Sequence, residues 1–232
     1  MLRFASFFIL VLFPFLAWTQ TKVFKEVEII GLQKISKEDI KPILSPYAGK
    51  NFDEGMQQEL LQKLKDISHF KEVHMKLTLD QTLKIFVVER LAFAWTNFQK
   101  KYFVDEEGDL FEWFGQTQPS NLPEIQGPWK TKSELFESSS FFRQAAELSK
   151  ASAVVSHAKL ARVYLDETLG WSCLFEGQLI IFYVGHDKFT NKFSKLDKIW
   201  GSLMSQKDKI FRVDLNFHDR IVVELKPTIS SS

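Results

Sequence analysis

The chain has 232 residues, long for one small domain and comfortable for two. Hydrophobic residues are 45% and charged residues 25%, the balance of a folded chain and not of a disordered one. Lys+Arg 30 against Asp+Glu 29 leaves a formal net charge of +1, which removes the basic stripe that nucleic-acid binding needs.

The amino terminus carries an apolar run from Phe4 to Trp18, broken only by Ser6 and Pro14 and preceded by Arg3. At about 15 residues it is shorter than the roughly 20 of a membrane span and has the length of a secretory h-region. Ala17 and Thr19 are small enough for a cleavage site, but bulky Trp18 stands between them and itself suits an interfacial anchor position. Residues 1–21 are therefore read as a membrane anchor or signal segment, with Phe4, Leu10, Phe15 and Trp18 as anchor residues. Both readings carry the rest of the chain across a membrane; they differ in whether it stays attached.

Phe24 to Ile30 reads as a short strand closed by Gly31. Ser36-Lys-Glu-Asp39 has the form of a capping box and opens a helix through Ile40, Ile43 and Leu44, with Pro42 in its early turns. Asn51-Phe-Asp-Glu54 is a second start signal, with Asn51 as cap, and Met56, Leu60, Leu61, Leu64 and Ile67 follow at helical spacing. Phe70 to Leu79 alternates as a strand, Asp80-Gln81-Thr82 is a turn, and Leu83 to Glu89 carries Leu83, Ile85 and Val87 on one face. The result is a β-α-α-β-β unit over residues 22–91.

From residue 92 the character changes. Phe93 to Phe98, Tyr102 to Asp105 and Leu110 to Phe114 read as aromatic-rich strands, with Lys100-Lys101 and Glu106-Glu-Gly108 as turns. Pro119 to Pro128 reads as a loop, and a polar helix follows around Leu135 to Leu148. Leu160 to Leu165, Trp171 to Phe175 and Leu179 to Val184 form a meander with Gly170 and Gly177 at its turns. Phe189, Phe193, Leu196, Ile199, Trp200 and Leu203 mark an amphipathic helix. A hairpin of Ile210 to Phe217 and Ile221 to Leu225, turning at His218-Asp219, ends the second unit at 226; residues 227–232 read as a disordered tail. The fold class is α+β, with an N-terminal anchor, a small β-α-α-β-β domain and a mixed α/β domain dominated by an antiparallel sheet.

No catalytic constellation emerges. His69, His74, His157, His186 and His218 lack the paired spacing that a zinc site needs, and Asp187 after His186 reads as a helix cap. Cys173 lies in an alternating stretch and reads as a small packed hydrophobe. Asp105-Glu106-Glu107-Gly108 reads as a turn between strands, against the alternative that it serves hydrolysis. Phe111, Trp113 and Phe114 could stack on a base, but the segment is acidic. No catalytic residue, metal, cofactor, nucleic acid or small-molecule substrate is expected, which leaves protein–protein interaction.

Four strings in order resemble one family. Val87-Val-Glu89-Arg90-Leu-Ala-Phe-Ala94-Trp95 is similar to the E-R-x-P-x-A-x-W junction of FtsQ/DivIB proteins, with Ala92 where the family has proline. Phe103-Val104-Asp105-Glu106-Glu107-Gly108 resembles their valine-aspartate-x-x-glycine turn, and Leu122-Pro123-Glu-Ile125-Gln-Gly127-Pro128 their LPxIxGP loop. Val213-Asp214-Leu215 falls at their late strand, where Asn216, Phe217 and Arg220 replace arginine, tyrosine and glycine.

The resemblance implies a single-pass protein of the bacterial inner membrane at the division septum, with a POTRA domain followed by a β domain outside the cytoplasm. It implies a non-enzymatic scaffold of the division apparatus, whose C-terminal strand region binds an FtsB/FtsL-like coiled coil by β-augmentation. The POTRA domain would meet other division partners, FtsW/FtsI-like septal synthesis proteins among them. Phe217, Asp219, Arg220 and Val222 are the expected partner-facing residues; packing of Phe217 and Val222 in the core is the competing reading. The runner-up function is a POTRA-containing periplasmic interaction module of envelope transport or assembly.

Overall fold

The computed structural model describes residues 23–227. The anchor residues Phe4, Leu10, Phe15 and Trp18, and all but residue 227 of the tail, lie outside the described residues. Among those described, no helix is long and apolar enough to cross a membrane.

The first unit is a three-stranded sheet of β1 (Glu26–Ile30), β2 (Phe70–Leu77) and β3 (Thr82–Glu89), in the order β1-β3-β2. β1 runs parallel to β3 and β2 antiparallel to it. Leu83, Ile85 and Val87 alternate into the core with Val73, which is how period-2 patterning places one face of a sheet. Helices α1 (Lys37–Leu44) and α2 (Glu54–Lys65) contribute Ile40, Leu44, Leu60 and Leu64 to the same core.

The capping box at Ser36 forms as expected: Asp39 N donates to Ser36 Oγ at 3.2 Å, and Ser36 N donates to Asp39 Oδ2 at 3.1 Å. The cap of α2 is Asp53 and not Asn51; Asp53 Oδ1 accepts from Met56 N at 2.9 Å. Phe52, wholly buried, is still turning into the core between the two candidates, so the helix cannot start until it has passed. β2 also ends two residues before Leu79, because Thr78 Oγ1 donates to Thr82 O at 2.8 Å and closes the turn, leaving Leu79 fully exposed.

The second unit is built on a nine-stranded sheet. Its strands are β4 (Ala92–Phe98), β5 (Lys100–Asp105), β6 (Leu110–Phe111), β7 (Glu124–Gln126), β8 (Leu160–Asp166), β9 (Gly170–Phe175), β10 (Ile181–Gly185), β11 (Ile210–Asp214) and β12 (Val222–Leu225). Their order is β12-β11-β10-β9-β8-β7-β4-β5-β6. Antiparallel neighbours predominate, but β4–β7, β7–β8 and β10–β11 are parallel. Parallel pairs need a crossover; α3 (Lys132–Glu137) with α4 (Ser139–Ser152) supplies the one after β7, and α5 (Phe189–Met204) the one after β10. Phe142, Leu148, Phe193 and Leu196 of the helices share a core with Val163, Cys173, Phe175 and Phe182 of the strands. Burial raises the Cys173 thiol pKa, as its packing role requires.

Local expectations change at several places: β6 stops at Phe111 and not Phe114, β10 starts at Ile181 and not Leu179, and β11 stops at Asp214 and not Phe217. β7 lies inside the segment read as a loop, and Ile125 at its centre is completely buried. Lys100 and Lys101 belong to β5, the reversal being made at Gln99 with φ 62°. The polar helix is two, divided at Ser138, whose hydroxyl donates to Glu134 O at 2.6 Å. Asp187 is not the cap of α5; Lys188 holds that position in a left-handed conformation, and Asp187 lies 3.5 Å from Lys192.

Candidate functional site

β12 forms one edge of the nine-stranded sheet, and all four of its residues are exposed. The hairpin that presents it is anchored by β11, where Ile210 and Val213 enter the core. Past β11 the chain is steered by a buried lysine. Lys192 Nζ donates to Val184 O at 2.6 Å and to Asn216 Oδ1 at 3.2 Å, and Asn216 N donates to Asp214 Oδ1 at 2.8 Å. Gly185, at φ 75°, makes room for this arrangement, since a Cβ there would sit 2.0 Å from Asn216 Oδ1. Leu215 N donates to Tyr183 O at 2.9 Å, and only then does the chain emerge.

The four partner-facing candidates follow directly. Phe217 and Val222 are each 38% exposed, so neither is a core residue, and Asp219 and Arg220 are exposed beside them. The Arg220 guanidinium lies 5.1 Å from the Phe217 ring centroid, a cation–π pair at the mouth of the hairpin. Two concavities flank it. A groove of about 350 Å³ between α5 and β12 is lined by Ile199, Leu203, Val223 and Leu225 among others. A cleft of about 430 Å³ beside Phe217 and His218 is lined by Lys188, Lys192, Lys195 and Lys198, with Asp187 as its one acidic residue. An apolar groove, an aromatic lip and a free strand edge together suit an extended peptide segment.

The opposite end of the sheet is shut. β6 has only two residues, and the chain beyond it leaves the sheet for the first unit. Phe114 packs against that unit's core, 6.4 Å from the Phe70 ring, while His69 of the first unit sits against Phe111 and Trp113, with centroids at 4.9 and 4.4 Å. Each unit thus inserts one ring into the other. Phe114 N donates to His69 Nδ1 at 3.2 Å and Glu112 N to Ser68 Oγ at 3.0 Å.

The Glu89-Arg90 pair, singled out in the sequence only as part of a resemblance, holds this region in two directions. The buried Glu89 carboxylate accepts from Gln33 N at 2.9 Å, Lys34 N at 2.8 Å and Ile35 N at 3.2 Å, securing the approach to α1. Arg90 Nη1 donates to Asp105 Oδ2 at 2.6 Å and Asp109 Oδ2 at 2.8 Å. Asp105 Oδ1 also accepts from Glu107 N and Asp109 N, at 3.0 and 2.9 Å. Glu106 pairs with Lys150 at 2.6 Å, and Glu107 pairs with Lys71. Through Asp105, Glu107 and Asp109 the acidic turn fastens one unit to the other, while Glu106 ties it to α4 of its own unit.

The third string has a structural reason too. Trp95 N donates to Pro123 O at 3.0 Å and Trp95 Nε1 to Leu122 O at 3.2 Å, seating β7 beside β4. A Cβ at Gly127 would lie 2.0 Å from the Trp129 ring, so the indole closes directly over the backbone.

The comparisons with known proteins agree with this architecture. The family model "POTRA domain, FtsQ-type" matches residues 23–90, and "Cell division protein FtsQ/DivIB, C-terminal" matches residues 92–216. The chain is similar to "Cell division protein FtsQ" of Geobacter sp. (strain M21), 22% identical over 205 residues, covering 85% of this chain and 74% of the relative. It is also similar to "Cell division protein FtsQ" of Coxiella burnetii (strain RSA 493 / Nine Mile phase I), 20% identical over 209 residues, covering 89% and 82%. Two adjoining matches in the order of the two folded units carry the assignment: the chain belongs to the FtsQ/DivIB family of cell division proteins.

Proposed function

We propose that this cell division protein is a non-enzymatic scaffold that docks an extended segment of a partner on the β12 edge. The observation that carries this reading is the edge itself, unpaired on one side among the described residues and exposed along its whole length, with Phe217, Asp219, Arg220 and Val222 at its entrance. Such an edge supplies main-chain donors and acceptors to an incoming strand, and proteins otherwise shield it. The partner is an FtsB/FtsL-like coiled-coil protein, and the POTRA domain meets further division proteins, FtsW/FtsI-like septal synthesis proteins among them. The segment containing Phe4, Leu10, Phe15 and Trp18 tethers the chain to the inner membrane at the septum.

Capture of a purified FtsB-like partner tests the docking edge. Deletion after Asp219, Phe217→Ala and Arg220→Asp should each reduce recovery while the POTRA domain stays folded by circular dichroism; undiminished recovery by all three would refute the assignment. A fluorescent fusion of the full chain should gather at midcell in dividing cells, and uniform envelope fluorescence would favour a transport or assembly role instead.

A further inference from the structure

The joint between the two domains contains a titratable group that the docking edge does not use. His69 is wholly buried, with its Nδ1 against the Phe114 backbone. Phe114 N lies 3.2 Å and Phe114 O 3.3 Å from Nδ1; a backbone N–H can only donate, so when that bond is made Nδ1 accepts and the imidazole proton is on Nε2. That Nε2, like Trp113 Nε1 beside it, is buried with no hydrogen-bond partner among the described residues.

We propose that His69 is an acid-released latch: neutral, it locks the POTRA and β domains together, and protonated, it frees the 111–114 segment from the POTRA domain. A second proton must go on Nδ1, directly facing the Phe114 N–H. The Phe114 carbonyl, 3.3 Å from Nδ1, is within reach of that proton, but the Phe114 N–H at 3.2 Å then points at a nitrogen that can no longer accept. The new cation would also sit between Phe111 and Trp113, out of water.

The surrounding charges do not rescue it. Glu89 at the end of β3 attracts it, but that carboxylate is engaged by the N–H groups of residues 33–35. Next in the chain, Arg90 is held on the other side by Asp105 and Asp109 of the β5–β6 turn. Lys71 on β2 is taken up by Glu107, Glu112 by Lys100, and Asp39 by the Ser36 cap beside Gly115. Burial is the largest influence and holds the His69 pKa below its ordinary value of 6.5, against the backbone of Phe114 and Arg90 and the Glu89 charge, which favour the protonated ring. With the closed-state pKa depressed, closure is fully favoured above about pH 6.5 and is lost as pH falls toward the lower, closed-state value.

Amide hydrogen exchange on the full chain in detergent, at pH 7.5 and pH 5.5 and corrected for intrinsic rates, tests this. Amides of residues 111–114 should exchange faster at the lower pH, by up to about tenfold, the most that one proton linked to opening can give over that interval below the open-state pKa. The strands β8 and β9 should not change. His69→Asn keeps an acceptor at the Nδ1 position without titrating there, and should remove the pH dependence. The His69 imidazole in the native chain, followed by NMR, should titrate below 6.5 together with the opening; this reading stands if the variant fails to fold. Flat exchange at 111–114, an imidazole titrating at or above 6.5, or acid opening that spreads equally into β8 and β9 would each overturn the latch.

Discussion

The two ends of the nine-stranded sheet solve one problem in opposite ways. At the β6 end the strand is two residues long, the next rings turn out of the sheet, and His69, Phe114 and Arg90 weld the margin to a second domain. At the β12 end a four-residue strand is left bare, its apolar Val222, Val223 and Leu225 facing solvent. An edge that is short and covered gives no template for pairing; one that is longer, apolar and uncovered does. The shut end is held to the first unit, and the open end is the one proposed for docking.

That contrast should break most visibly at Arg90. Arg90→Ala leaves the 8%-exposed Asp105 carboxylate without its cation, and should cost about 3 kcal/mol in urea unfolding, the lower figure for stranding one member of a buried pair. A loss below about 1 kcal/mol would mean the joint does not depend on this clamp. Phe114→Ala comes next. Its ring is only partly buried against the POTRA core, so the loss should be about 2 kcal/mol, less than the roughly 3–5 kcal/mol of a wholly buried phenylalanine. The open end sharpens the comparison by its indifference. Phe217→Ala should leave stability within about 0.5 kcal/mol while lowering partner capture, and a loss as large as that for Phe114 would show Phe217 to be a packing residue after all.

Local patterning made the POTRA domain legible. The Leu83-Ile85-Val87 alternation, the Ser36 capping box and the helical spacing of Leu60 and Leu64 are interactions within a few residues, and each is found where the pattern put it. The meander of β8, β9 and β10 and the long helix α5 were legible for the same reason. At the candidate site, the resemblance put the expected partner-facing residues around 217–222, and whether Phe217 and Val222 faced solvent or the core was decided only when the hairpin was placed.

What escaped was whatever depends on partners distant in the chain. β7 has three residues between prolines, too few for a period, and becomes a strand only because β4 and β8 flank it. His69 read as one unremarkable histidine among five, since the rings that enclose it come from residues 111 and 113. Glu89 and Arg90 could be seen as a string, but not that one binds residues 33–35 and the other residues 105 and 109. By itself the sequence determined the order of the elements, β7 and the division of α3 from α4 excepted, and the likeness of four strings to one family, because these are local. Tertiary structure alone decided which sheet edge is covered and which is open, because an edge is defined by what packs against it.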